Sequence, residues 1–154
     1  MIMNKKGFTL IELLAVIAVI ALISLIAIPN IVGLTDGIRK DQMLDDAKKL
    51  ISMAKYQVNK DYAVRNSVSH TFQFSELNVN NDIGQDPDST TGANYISGTV
   101  EYTNTGTARY CIYLVGSKRK ICRFPEGADT TNSANCNLCV HEDELYSRTN
   151  VHDK

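Results

Sequence analysis

Four cysteines, Cys111, Cys122, Cys136 and Cys139, offer the most chemistry in this 154-residue chain. Thiols pair as disulfides in an oxidising compartment or, as thiolates, hold a tetrahedral zinc ion. Cys136-x-x-Cys139 has the spacing of half a zinc site, with Cys111 and Cys122 as the other half and His141 able to replace one thiolate. The ten residues between Cys111 and Cys122 make an unusual gap for a zinc finger, and four cysteines allow three disulfide pairings. Either role is structural. His70, His141 and His152 lie in loop or tail sequence, and no Ser or Cys has the setting of a nucleophile, so no catalytic site and no enzyme is expected. Asp82, Asp86 and Asp88 are a conceivable calcium set without the spacing of an EF-hand. Lys118, Arg119, Lys120 and Arg123 form the tightest basic run. It reads as a solvated hairpin, the alternative being a patch for DNA, an anionic surface or a neighbouring subunit.

The remaining chemically loaded residue is Glu12, the one formal charge between Phe8 and Ile28. That run of 21 residues is apolar on every face, so it has no solvent side. As a helix it is roughly 31 Å long, and a bilayer's hydrocarbon core is about 30 Å thick. A spanning helix is expected. A carboxylate inside one is costly and needs a partner. The only partner the segment can supply is a new amino terminus, made by a cut just before Phe8. Lys5 and Lys6 place the short N-terminal side in the cytoplasm and the bulk of the chain outside. They would also suit a secretory signal, but the run is long for one and no small-x-small site follows it. The net charge of -1 argues against a nucleic-acid-binding domain, and no specific nucleic acid is expected.

Lys5-Lys6-Gly7-Phe8-Thr9-Leu10-Ile11-Glu12-Leu13-Leu14 resembles the class III signal of type IV pilins and related pseudopilins. The resemblance covers Lys5 to about Gly33; beyond that it is architectural. It implies a leader, residues 1–7, removed by a prepilin peptidase between Gly7 and Phe8, with Phe8 then N-methylated. It implies that Glu12 pairs with the terminal amine of a neighbouring subunit and that Pro29 perturbs the helix. It also implies an α+β, lollipop-shaped pilin fold. The partners would be the lipid bilayer first, then the inner-membrane assembly machinery, then copies of this chain or other pilins in a helical filament. Physics favours the same role for Glu12: in a packed helical core an unpaired carboxylate is expensive, and the Phe8 ammonium offsets that cost.

The rest of the chain must present this end and fold the cysteines. Segment 8–29 is the membrane and filament-core helix, and 30–62 continues it amphipathically. Met43/Leu44, Ala47, Leu50/Ile51, Ala54 and Val58 mark one face, with Asp45, Asp46, Lys48 and Lys49 largely on others and Asp45–Lys49 as an i,i+4 pair. Pro29, Gly33 and Gly37 weaken the helix, and melting between Ser24 and Gly37 is expected in a packed filament. Residues 63–154 form an extracellular antiparallel β-sheet head packed on the helix. Its strands are expected at Tyr95–Tyr102, Ala108–Val115 and Lys118–Phe124, with a short strand or turn near Val140–Tyr146 and a frayed end. Ile96, Val100 and Tyr102 share one face, as do Tyr110, Ile112 and Leu114. A two-residue turn at Gly116-Ser117 puts Cys111 opposite Cys122, favouring a 111–122 bond with 136–139. The nested alternative, 111–139 with 122–136, would staple the tail to the sheet, as many pilins pin their C-terminal region.

The expected function is a structural pilus subunit for adhesion, motility or aggregation, without a cofactor other than a possible structural zinc. The alternatives are a pseudopilin of a secretion or DNA-uptake system and, more remotely, a membrane-anchored extracellular binding protein.

Overall fold

The computed structural model describes residues 9–78 and 81–154, with the backbone alone over 25–32. The fold is α+β: a long N-terminal helix whose C-terminal half packs on a small antiparallel sheet. The chain divides into two compact units, residues 1–38 and 39–154.

Helix α1 runs Leu10–Lys60. Leu, Ala, Ile and Val fill its first half, and the backbone stays helical through Pro29, Gly33 and Gly37. No melting is present in the single chain; that expectation concerns the packed filament. Every described side chain from Thr9 to Ile23 is exposed. Among the described residues no helix is long and apolar enough to cross a membrane. The described side chains of the apolar run end at Ser24, which leaves 16 positions, about 24 Å of helix. The run itself continues to Ile28.

In the second unit α1 ends where Asp61 turns extended and caps α2, Tyr62–Arg65, by accepting hydrogen bonds from the Ala63 and Val64 amides at 2.8 and 3.3 Å. Strand β1, Ser69–Gln73, leads into α3, Phe74–Leu77. Then come β2, Ser97–Asn104; β3, Ala108–Val115; β4, Arg119–Ile121; β5, Val140–His141; and β6, Val151–Asp153. The antiparallel order is β1-β2-β3-β4-β6, with β5 also on β3.

The predicted α1 face is the buried one: Met43, Leu44, Ala47, Leu50, Ile51, Ala54 and Val58 share a core with Phe72, Val100, Tyr102, Ile112, Leu114, Ile121 and Val151. Three details differ. Ile96 is 63% exposed and lies outside β2, which starts at Ser97, two residues after the expected Tyr95. Asp46 is buried on the core side, where the Tyr95 hydroxyl donates to it at 2.8 Å. The helix ion pairs are Asp45–Lys48 and Asp46–Lys49, both i,i+3, in place of Asp45–Lys49.

The β3–β4 hairpin corrects the expected register. Val115 pairs with Lys120 and Leu114 with Ile121, so the turn centres on Ser117-Lys118. Asp86, held 3% exposed, fixes it from outside by accepting from the Ser117 amide. Asp88 accepts both bonds from Arg119 Nη1, at 2.8 and 2.7 Å. A loop more than 25 residues upstream thus sets the turn, which no local turn rule could reveal.

Candidate functional site

Thr9 and Glu12 define the described start of α1. The Thr9 amide and hydroxyl both donate to Glu12 Oε2, at 2.8 and 2.9 Å, and the Glu12 amide donates to Thr9 Oγ1 at 3.4 Å. This is a reciprocal capping box: an N-cap Thr and an N3 Glu satisfy each other's orphan amides. Its signature, Thr-x-x-Glu, stands in the sequence beside the motif that drew attention to Glu12 alone. In the isolated chain Glu12 therefore serves its own helix, and its carboxylate is exposed. Gly7 and Phe8, the two residues of the expected cut, lie outside the described residues, as does the Pro29 side chain.

The cysteines pair in the nested pattern. Cys111 bonds Cys139 and Cys122 bonds Cys136, with Cα–Cα distances of 5.4 and 5.5 Å. The 111–122 pairing is thereby corrected, and the sheet explains why. At Cys111 the neighbour of β3 is β5, with Cys111 opposite His141 and Ile112 opposite Val140. By then the chain after β4 has left β3 and runs beside β6 and the tail, through the Arg123–Leu138 bridge. Val140-His141 intervenes, and Cys111 meets Cys139 instead. Thiol, carboxylate and imidazole donors gather within 4.8 Å of one another in two separate groups among the described residues: Cys122, Cys136 and His152, and Glu101, Cys111 and Cys139. Neither contains all four cysteines or His141.

His152, expected in a frayed end, sits in β6 opposite Lys120. Its ring meets Phe124 edge-on at 4.9 Å. Burial pushes the imidazole pKa down, opposed by a hydrogen bond to the Cys122 backbone. The sequence signal for β6 is three residues long, too short for a strand pattern to register.

Half of the basic run is solvated, since Lys118 and Arg123 are exposed, and the other half is not. Arg119 and Lys120 are 8% and 7% exposed. Arg119 is tied to Asp88 and to Asp153, the latter at 3.2 Å, and the Lys120 ammonium donates to the Ser133 carbonyl and to the Cys136 carbonyl, the latter at 2.9 Å. Arg123 faces Glu144 at 3.8 Å. Nor do the acids assemble a calcium site: Asp86 and Asp88 are committed to the hairpin, and Asp82 is exposed at the rim of a groove lined by Lys49, Met53 and Tyr56. These residues weld the tail to the sheet. Arg148 adds a bidentate bond to Asp41 on α1, and Lys55 reaches Glu142.

The head thus carries two disulfides and a network of internal ion pairs, while the N-terminal unit carries a self-capped apolar helix. No curated protein and no solved structure matches the chain. The prokaryotic N-terminal methylation motif matches residues 2–28. That stretch takes in Lys5, Lys6, Gly7, Phe8 and Glu12 and runs to the end of the apolar run. The chain carries at its N-terminus the class III signal typical of type IV pilins and pseudopilins.

Proposed function

We propose that this chain is a structural subunit of a type IV pilus. The precursor sits in the cell membrane as a single-pass protein with its N-terminus in the cytoplasm. A prepilin peptidase cuts between Gly7 and Phe8, Phe8 is methylated, and the inner-membrane assembly machinery draws the subunit into an extracellular filament of copies of this chain or other pilins. The observation that carries the reading is the methylation motif over 2–28, whose residues from Leu10 onward lie in α1. The exposed apolar side chains of Leu10–Ile23 give the helix a surface that lipid covers before assembly and neighbouring helices cover after it. The Glu12 carboxylate exchanges its internal cap for the Phe8 ammonium of a neighbour. The subunit's work is structural, and adhesion, motility or aggregation belongs to the filament.

Antibody to the head, used to label intact cells in electron microscopy, tests this. Long filaments labelled along their length are the expected result. Label confined to the cell envelope under conditions that induce expression would instead assign the chain to a short pseudopilus or to a membrane-anchored binding protein.

A further inference from the structure

The Cys122–Cys136 disulfide lies beside the His152 imidazole. Cys122 and Cys136 are wholly buried, and His152 is half-buried on the same face of the sheet. The pairing explains the convergence. Lys120 stands opposite His152, and the Cys122 amide donates to the Asn150 carbonyl at 3.3 Å. Residues 120, 122, 150 and 152 therefore project to one side, away from the core that receives Ile121 and Val151. Cys136 is brought to that side by the Lys120 ammonium, which donates to its carbonyl. Phe124 backs the His152 ring. One donor atom from each of Cys122, Cys136 and His152 lies within 4.8 Å of the other two.

We infer that reduction of the Cys122–Cys136 disulfide converts this corner of the head into a metal site, in which two thiolates and the His152 imidazole bind one zinc ion. The chemistry balances with a thiol or phosphine as reductant. Two electrons from the reductant and two protons break the S–S bond and give two thiols. Zinc then displaces both thiol protons and takes a nitrogen lone pair from His152. Water fills the fourth position on the half-buried side.

Two thiolates and one imidazole form a donor set that zinc prefers. Thiolates on one tetrahedral zinc ion stand about 3.8 Å apart, given Zn–S bonds of about 2.3 Å. The Cα atoms of this pair, 5.5 Å apart, allow that separation by rotation of the two side chains. The Lys120 ammonium, held at the Cys136 carbonyl, adds positive charge beside the thiolates. The Cys111–Cys139 pair makes the internal comparison. Its third donor is the exposed Glu101 carboxylate, and Cys139 is half-buried, so solvent competes for any ion there. The site needs only the head and does not depend on the pilus reading.

Cobalt(II) is a spectroscopic stand-in for zinc, because thiolate ligation gives it intense near-ultraviolet charge-transfer bands. The full-length protein in detergent, reduced with a phosphine, should bind one cobalt ion per chain with those bands, and the oxidised protein should show none. The Cys111→Ser/Cys139→Ser double variant should keep the bands. His141→Asn should leave the affinity unchanged, and His152→Asn should weaken it at least about tenfold. His152→Asn retains both disulfides, so its oxidised form checks that the head is folded. Equal affinity in His152→Asn and wild type would overturn the assignment. So would loss of binding in the Cys111/Cys139 variant, which would place all four cysteines on one ion, or equal binding by the oxidised protein.

Discussion

Glu12 has two competing partners, and the competition separates charge from shape. Within its own chain it caps Thr9; in the proposed filament it meets a neighbour's Phe8 ammonium. Glu12→Ala removes both interactions, because it takes away the N3 half of the capping box along with the charge. Glu12→Gln keeps the capping box, because Gln also serves at N3, and loses the charge. Both variants should still insert and be cut, since removing a charge from the apolar run makes insertion cheaper. Both should yield few and short filaments by electron microscopy. If Glu12→Gln assembles normally while Glu12→Ala does not, the cap is the working interaction and the ion-pair argument fails. A second residue-scale test concerns Asp41. The Arg148 guanidinium's hydrogen bond holds the Asp41 carboxyl below its ordinary pKa. A folded pKa below the unfolded one means that the contact's contribution is complete above about pH 4 and is lost as the pH falls through the folded value. Protection factors of residues 142–154, which divide out the intrinsic pH dependence of exchange, should therefore fall on acidification below about pH 4. Asp41→Asn should show the lower protection at neutral pH and no such acid step.

At the scale of elements, the tail is held by disulfides and ion pairs more than by periodic packing. Non-reducing peptide mapping of the head should return 111–139 and 122–136 linkages; a 111–122 peptide would mean that β5 does not lie where the sheet puts it. Cys136→Ser should loosen residues 125–154 by about 2–4 kcal/mol, read by hydrogen exchange, while protection of Met43–Val58 stays near the wild-type level. The reason for the division is visible in what the sequence discloses. The 3.6-residue rhythm from Met43 to Val58 and the eight-residue strand Ala108–Val115 are local patterns, and both stand where they are expected. The hairpin register is not local. It is set by Asp86 and Asp88, which reach Ser117 and Arg119 from a separate loop. Asp46 looks like a surface acid until Tyr95, 49 residues later, supplies its buried partner. β6 is legible only through its partner β4. With the cysteines, sequence narrows the choice to three pairings, and β5 makes it.

At the scale of the molecule, the N-terminal unit and the head divide the labour. In the proposed pilus subunit the class III signal and the apolar helix would serve processing, anchorage and packing, and the cross-linked head would form the filament surface. The central claim is that the signal over 2–28 is cut and the product assembled. Intact-mass and N-terminal peptide analysis of protein sheared from the cell surface tests it most directly. The account predicts a chain of 147 residues, the 154 of the precursor less the seven of the leader. It should begin at Phe8, carry one added methyl on the terminal nitrogen and be lighter by four hydrogens for the two disulfides. A surface protein that retains Met1–Gly7, or one cut beyond Ile28 with the apolar helix gone, would contradict it.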